Sequence, residues 1–114
     1  MKSGDRDAAN LQDMLEVARE ARDLASEIQA EAFLNDRVRT RALERMLELV
    51  GEAARRITPE FQAAHPQIEW RRIIGQRNLL AHEYGRIKPE LLYRTAREET
   101  PRLIAALERI LPRT

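Results

Sequence analysis

The stretch at positions 77–84, R-N-L-L-A-H-E-Y, combines residue types that transfer protons and bind anions. His82 can act as an acid or a base because the ordinary pKa of histidine lies near neutrality, and Arg77 carries a permanent charge. The only other histidine, His65, precedes Pro66 in a predicted connection, and we interpret it as structural. Acid–base chemistry therefore depends on His82, unless the stretch is an ordinary helix end in which a histidine caps the helix or packs in the core.

Arg77 occupies an unusual place on the helix that carries this stretch. It falls within an apolar stripe at helical spacing, formed by Trp70, Ile73, Ile74, Leu80, Ala81 and Tyr84. A guanidinium that faces a core is costly unless it is paired or opens on a wet cleft. The alternatives are a side chain that reaches outward to solvent or a structural ion pair.

The phase of His82 differs from that of Arg77. Five residues rotate a helix by about 500°, which leaves the two side chains about 140° apart on a straight helix. Either the helix unwinds near Ala81, or the two residues work with groups from another chain.

Charge and composition limit the possible classes of function. The net charge is +1 over 114 residues, so any contact with nucleic acid must use a local patch. One such patch runs from His65 to Lys88, where five basic and two acidic residues give +3, although Arg71 and Arg72 are also typical of a solvated helix face. The absence of cysteine excludes disulfides and thiolate chemistry. One usable histidine is too few for a typical zinc site, and no glycine-rich loop follows a strand, so no metal or other cofactor is predicted.

The length suits one compact domain over residues 1–114. The N-terminal sequence M-K-S-G-D-R-D-A lacks the apolar core of a signal peptide. No apolar run approaches the roughly 20 residues that span a bilayer. These features predict a cytoplasmic protein without a membrane segment.

Composition and periodicity predict an all-α fold, a bundle of four main helices plus a short helix. The first helix is predicted over residues 7–30, with an inward stripe of Leu11, Met14, Leu15, Ala18, Ala21, Ala25 and Ile28. The second is predicted over residues 36–57, with an inward stripe of Val38, Ala42, Met46, Val50, Ala53, Ala54 and Ile57. Gly51 costs this helix about 1 kcal/mol relative to Ala. A close approach of another helix would explain that cost, and so would chance.

The remaining helices are delimited by capping residues and prolines. T-P-E at positions 58–60 predicts the start of the short helix, which H-P at 65–66 ends. A third main helix is predicted over residues 68–82 and a fourth from Pro89 onward. Pro101 predicts a bend or break in this last helix because it lacks a backbone donor. The apolar face beyond it consists of Leu103, Ile104, Leu107, Ile110 and Leu111.

Two blocks of sequence identify a family resemblance. L-E-L-V-G-E-A-A-R-R-I at 47–57 and H-P-Q-I-E-W-R-R-I-I-G-Q-R-N-L-L-A-H-E-Y at 65–84 closely resemble the HepT-like branch of the HEPN domain, a group of small helical bundles. The branch is marked by an arginine, four residues, a histidine, one residue and a tyrosine. This pattern matches Arg77, His82 and Tyr84, and the asparagine that commonly follows the arginine matches Asn78.

The resemblance extends over nearly the whole chain. The G-E-A block matches at residues 51–53, and the pattern W-x-x-I-x-G-x-R matches at residues 70–77. The proline in the last helix is also shared. The sequence departs at Gly85, where relatives often carry a larger apolar residue, and Glu83 stands where aspartate is also common.

The resemblance implies a ribonuclease toxin encoded beside an MNT-type nucleotidyltransferase antitoxin. Arg77 and His82 would be the catalytic residues. The side chain of Asn78 would support them either by orienting the imidazole or by binding a ribose or phosphate oxygen. The antitoxin would silence the toxin by adding AMP to Tyr84. The family works as a homodimer in which the two motifs meet in a cleft, and its substrate is RNA.

Metal-independent RNA cleavage explains why two copies would be needed. The reaction requires one group that accepts the proton of the ribose 2′-hydroxyl, one that protonates the leaving 5′-oxygen, and positive charge at the phosphorane. One chain supplies a single candidate for proton transfer, His82, whereas a symmetric dimer supplies two. The alternative is that each chain uses water or the substrate for the second proton step.

Two other functions remain compatible with the sequence. One is a non-catalytic helical module that docks a nucleotidyltransferase and supplies its substrate tyrosine, and the other is a purely structural bundle. Glu52 is also open to several interpretations. It lies opposite the apolar stripe of the second helix, where it would serve a dimer contact, a partner contact or solubility.

Overall fold

The computed structural model describes residues 3–82 and 87–111. Every regular element in these two ranges is helical, which confirms the predicted all-α class. In chain order the elements are α1 (Ser3–Ser26), α2 (Ala30–Leu34), α3 (Arg37–Arg55), α4 (Pro59–Ala64), α5 (Trp70–His82), α6 (Pro89–Arg94), a π-helical segment (Thr95–Glu99) and α7 (Thr100–Ile110).

Helix α3 lies at the centre of the bundle and contacts both α1 and α5, while α7 packs against α1. The predicted apolar stripe of the first helix is buried at Leu11, Met14, Leu15, Ala18, Ala21 and Ala25. Ile28 lies beyond the end of α1 and is only partly buried. These contacts make α3 the support against which α5 is positioned.

The prediction of which residues of the second helix face inward is wrong near the start of the helix, at Val38. Val38 is 79% exposed, whereas Leu43 and Leu47 are buried. The sequence of α3 is apolar at two phases, and packing against both α1 and α5 selects the one through Leu43 and Leu47. Val38 lies five residues, or about 140°, from Leu43 and therefore points away from that core. Ala42 and Met46 are half-buried, and the other predicted positions, Val50, Ala53, Ala54 and Ile57, are buried.

The break between the first two helices comes earlier than predicted. The helix predicted to reach residue 30 ends at Ser26, and the five-residue helix α2 was not predicted. No glycine or proline marks this break. The buried ring of Phe33 packs against Tyr93 of α6, with ring centroids 5.1 Å apart, so a tertiary contact determines α2. Asp36 then caps α3 by accepting a hydrogen bond from the Arg39 backbone N–H at 3.0 Å.

Thr58 caps α4 as predicted. Its hydroxyl accepts a hydrogen bond from the backbone N–H of Phe61 at 3.3 Å and donates one to Asp7 Oδ2 at 2.7 Å. The backbone N–H of Thr58 donates to Asp7 Oδ1 at 2.9 Å. Asp7 is only 4% exposed, so these bonds satisfy a carboxylate whose burial would otherwise be costly. The contact fixes the start of α1 against the connection between α3 and α5.

The prolines and the last helix follow the prediction in part. Pro89 begins α6, and the chain continues through the π-helical segment into α7 without an intervening loop. The wider π-turn immediately precedes Pro101, which cannot donate a backbone hydrogen bond. The Thr100 hydroxyl donates to the carbonyl of Thr95 at 3.1 Å within this buried turn. The interruption expected from the proline therefore takes the form of a change in helical winding.

Candidate functional site

Helices α3 and α5 approach each other closely at Gly51. A Cβ atom at this position would lie 2.1 Å from Cβ of Arg77 and 2.9 Å from the carbonyl oxygen of Ile73. No side chain fits at such distances, so the glycine is what admits the backbone of α5. Of the two explanations for Gly51, the close helix–helix approach is confirmed. It places the stem of Arg77 directly on the backbone of α3.

The guanidinium of Arg77 is held by Glu52, the residue that follows Gly51. Both Nε and Nη2 of Arg77 contact Oε2 of Glu52, at 2.8 Å and 2.7 Å. The two side chains keep only 20% and 22% of their surface exposed. The position of an arginine within an apolar stripe is thus explained by an ion pair at the edge of the core.

Two further arginines contact the other oxygen of the same carboxylate. Nη2 of Arg55 lies 3.0 Å from Glu52 Oε1, and Nη2 of Arg56 lies 3.4 Å from it. Hydrogen bonds from Arg55 and then from Arg77 hold the pKa of Glu52 below its ordinary value, against the opposing effect of burial. Glu52 therefore remains charged at neutral pH. Because three guanidiniums surround one carboxylate, the cluster keeps an excess of positive charge.

Asn78 adjoins Arg77, whereas His82 does not. The side-chain oxygen of Asn78 accepts a hydrogen bond from Nη1 of Arg77 at 3.1 Å. Helix α5 continues through His82, so unwinding at Ala81 does not bring the imidazole to the guanidinium. Within residues 3–82 and 87–111, no hydrogen bond joins Arg77 to His82. The separation of their phases expected from the sequence is therefore present in the folded chain.

His82 belongs to an exposed face of α5, which we call the outward face and define as Gly75, Asn78, Leu79 and His82. Leu79, in the last turn of α5, is 53% exposed. A Cβ atom at Gly75 would meet no atom within 4 Å. The chain thus presents the asparagine and the histidine beside an apolar side chain on an open surface.

Tyr84, the fourth residue of the motif, lies outside the described residues, as do Glu83 and Gly85. The other tyrosine, Tyr93, is half-buried, and its hydroxyl donates a hydrogen bond to the carbonyl of Ile28 at 2.8 Å. His65 is the C-cap of α4 and stacks on Phe61 with ring centroids 4.3 Å apart, which agrees with its interpretation as structural.

A cavity of about 210 Å³ lies on another side of α5, toward the π-helical segment and α7. Its floor includes Leu47 and Val50, and the ion pair between Arg72 and Glu99 crosses its rim. Arg77, Asn78 and His82, the motif residues that the structure describes, do not line it, so the candidate site is a surface and not this cavity. In the described ranges, no cluster of three metal-ligating side chains occurs and no helix is long and apolar enough to cross a membrane.

Glu52 is the site residue whose role the sequence left undecided. Its helical phase relative to the apolar stripe of α3 does not fix its role, because it pairs with Arg77 of α5. The available signal was the adjacent glycine, because a residue beside a close helix–helix approach must lie near the second helix. An arginine in the apolar stripe of that helix also required a partner, and Glu52 is that partner.

Comparisons with known proteins agree on one family. Residues 14–110 match the family model described as Ribonuclease HepT-like. Putative RNase MJ1380 of Methanocaldococcus jannaschii is 33% identical over 100 residues, which cover 88% of this chain and 92% of the relative. Probable ribonuclease HepT of Thermococcus cleftensis is also 33% identical, over 88% of this chain and 91% of its own length. Putative RNase TTE0752 of Caldanaerobacter subterraneus is 37% identical over 74% of this chain and 75% of its own. No solved structure matches the chain.

Proposed function

Because the chain belongs to the HepT-like ribonuclease family, we propose that it is a metal-independent endoribonuclease in which Arg77 and His82 are the catalytic residues. The observation that carries this proposal is the pattern of hydrogen bonds made by the guanidinium of Arg77. Glu52 and Asn78 use three of its five N–H groups, and one N–H on each terminal nitrogen has no acceptor among the described residues. Those two N–H groups are available to bind a phosphate.

The reaction proceeds by attack of the ribose 2′-oxygen on the adjacent phosphorus. One imidazole takes the 2′-hydroxyl proton, the P–O5′ bond breaks, and an imidazolium returns a proton to the 5′-oxygen. The products are a 2′,3′-cyclic phosphate and a 5′-hydroxyl. The guanidinium of Arg77 stabilises the charge of the phosphorane, since it cannot act as a base itself. Asn78 orients Arg77 through their hydrogen bond.

The active form is a homodimer in which the outward faces of two α5 helices meet. Support comes from the exposed Leu79 beside His82 and from the open surface at Gly75. In a symmetric pair each copy supplies one histidine and one arginine. The 140° separation within one helix is then bridged by pairing the histidine of one copy with the arginine of the other.

Cleavage is controlled by a nucleotidyltransferase antitoxin of the MNT type, and the pair forms a toxin–antitoxin system. The antitoxin adds AMP to Tyr84. The phenolic oxygen forms a bond to the α-phosphorus of ATP, the bond between the α-phosphate and the β-phosphate breaks, and pyrophosphate leaves. The new group is bulky and anionic and lies two residues from His82, so it excludes RNA and lowers the local positive potential.

The experiment is RNA cleavage by the purified protein in excess EDTA. We expect the wild type to cut RNA and leave 2′,3′-cyclic phosphate ends, and a single 2′-deoxy substitution at the cut site to block cleavage. Arg77→Ala and His82→Ala should each abolish the activity. The matched controls are Arg71→Ala, which removes an exposed arginine of the same helix, and His65→Gln, which removes the other histidine. Equal cleavage by all five proteins would refute the assignment. Binding to the nucleotidyltransferase without cleavage would favour the non-catalytic docking module instead.

Mass spectrometry after incubation with the neighbouring nucleotidyltransferase and ATP tests the control step. We expect an AMP group on the peptide that contains Tyr84. Tyr93 is an internal control because its hydroxyl is engaged in a hydrogen bond within the fold. AMP on neither tyrosine, or on Tyr93 alone, contradicts this part of the proposal.

A further inference from the structure

The contacts of Arg77 point to a role for Glu52 that rests on the proposed ribonuclease function. We infer that Glu52 is a positioning residue, which holds the guanidinium of Arg77 in the orientation that RNA cleavage requires. It does not touch the substrate in this proposal. It acts only through Arg77.

The geometry of the pair restricts Arg77 more than a single hydrogen bond would. Nε and Nη2 both contact the same oxygen of Glu52, at 2.8 Å and 2.7 Å. Two contacts from one planar group to one atom fix the direction in which the remaining N–H groups point. The hydrogen bond from Nη1 to Asn78 at 3.1 Å adds a third restraint on the same plane.

Glu52 can serve as a support because it is itself restrained. Its backbone follows Gly51, where α3 lies against the Cβ of Arg77. Its second oxygen is held by Arg55 at 3.0 Å and by Arg56 at 3.4 Å. The carboxylate is therefore fixed from the backbone side and from the opposite oxygen, and Arg77 is positioned against a rigid group.

The electrostatic effect of Glu52 on substrate binding is opposite to its effect on positioning. A carboxylate near the site repels an RNA phosphate, so removal of its charge should strengthen binding of the substrate. A loss of turnover in a variant without this charge cannot therefore come from weaker attraction. In a variant that remains folded, we attribute such a loss to a changed position of Arg77.

Glu48 provides a matched control on the same helix. It lies one turn before Glu52, its side chain is 15% exposed, and it pairs with Arg45 at 2.8 Å. Glu48→Gln and Glu52→Gln make the same change of charge and shape and each remove one half-buried carboxylate. Of these two glutamates, only Glu52 contacts Arg77, so a purely structural role predicts similar behaviour of the two variants.

The test is steady-state cleavage of an RNA oligonucleotide by the full chain, with melting temperatures measured alongside. We expect Glu52→Gln to lower kcat by about 10- to 100-fold, as a misplaced catalytic group does, while KM stays unchanged or falls. Glu48→Gln should keep the wild-type kcat, and Glu52→Asp should recover part of the loss. In an Arg77→Lys background, Glu52→Gln should lower kcat by less than it does in the wild type, because lysine lacks the planar group that Glu52 orients.

The outcomes separate this inference from the function on which it rests. If the wild type cleaves RNA and the Glu52→Gln and Glu48→Gln variants have equal kcat values, the positioning role is overturned and the ribonuclease assignment stands. Additive losses of kcat in the Arg77→Lys background would also overturn it. A wild type that cuts no RNA refutes both. If Glu52→Gln melts below the assay temperature, Glu52→Asp decides: lower kcat at an unchanged melting temperature supports the role, and wild-type kcat overturns it.

Discussion

Arg77 and His82 lie on the same helix, but their environments in the folded chain differ. Arg77 faces α3, where Gly51 admits its stem and Glu52 and Asn78 hold its guanidinium. His82 is exposed at the end of α5. The guanidinium is thus held within one chain, whereas the imidazole is presented outward. This arrangement is compatible with the proposed site, which two copies would share.

The difference has a physical basis in what each residue must do. A guanidinium that stabilises a phosphorane is useful only if its direction is fixed before the reaction, because reorganisation during the reaction would raise the barrier. The packing of α5 on α3 provides that direction. An imidazole that exchanges protons with a substrate must instead be accessible. The two sides of α5 therefore predict different responses to substitution.

The largest difference in stability is expected between substitutions of Gly51, at the contact of α3 with α5, and of Gly75, on the outward face. Gly51→Ala should lower the free energy of unfolding by about 1–3 kcal/mol, because the new methyl group overlaps the stem of Arg77 and must separate α3 from α5. Gly75→Ala should raise the free energy of unfolding of a single chain by about 0.5–1 kcal/mol, because alanine is the better helix former and no atom of the same chain lies within 4 Å of the added methyl group. Urea denaturation of both variants measures this pair of opposite shifts.

The same pair of variants tests how closely Arg77 depends on the helix contact. Gly51→Ala should also reduce RNA cleavage, since it displaces the guanidinium that Glu52 holds. A Gly51→Ala protein with wild-type stability and activity would show that α5 moves freely against α3. The helix contact would then not fix the position of Arg77.

Substitutions of Arg77 and His82 should differ in their effect on stability, although both should abolish cleavage. Arg77→Met removes the ion pair to Glu52 and should cost about 1–2 kcal/mol, a value below that of a fully buried pair because both side chains keep about a fifth of their surface exposed. His82→Ala removes an exposed side chain and should change stability by less than about 0.5 kcal/mol. Thermal and urea denaturation report both values. A His82→Ala loss as large as that of Arg77→Met would place the imidazole in a packed environment.

Self-association should depend on the outward face. Leu79→Lys introduces a charge at a 53% exposed position and should weaken dimer formation by about tenfold, equivalent to ~1.4 kcal/mol, while the helical content stays unchanged. Leu91→Lys is the matched control, because Leu91 is 41% exposed on α6. Sedimentation equilibrium over a range of concentrations gives both dissociation constants. A stable monomer in the wild type, or an equal effect of the two variants, would exclude the outward face as the dimer contact.

Local patterns predicted most of the fold. The helix-start signals at Thr58 and Pro59 act through neighbouring backbone groups, and α4 begins where they predict. Pro101 likewise predicted an interruption that appears as a π-helical segment. Tertiary contacts decided the cases that sequence periodicity did not. The packing of Phe33 on Tyr93 fixes α2, and two neighbouring helices select the phase of α3 that leaves Val38 exposed.

The candidate site was predictable in its residue types but not in its connections. The family pattern indicated Arg77, Asn78 and His82, and the phase of the helix separated the arginine from the histidine. The ion pair to Glu52 joins residues 25 positions apart. Neither its length nor its direction follows from the period of either helix, because both depend on how closely α3 and α5 approach.

The smallest expected effect is the pH dependence that Glu52 confers on stability. Hydrogen bonds from Arg55 and Arg77 lower the pKa of Glu52 from its ordinary value of 4.5, so the folded state binds fewer protons than the unfolded state near that pH. The stabilisation is fully present above pH 4.5 and is lost as the pH falls through the lowered pKa. Glu52→Gln should therefore make the free energy of unfolding less dependent on pH below 4.5.

Asp36→Asn should independently make the free energy of unfolding less dependent on pH in the acidic range, because the backbone N–H of Arg39 and then its side chain lower the pKa of Asp36. Urea denaturation at several pH values measures both changes. Only the Glu52 effect should disappear in an Arg55→Ala, Arg77→Met background, and its persistence there would show that the lowered pKa does not arise from Arg55 and Arg77.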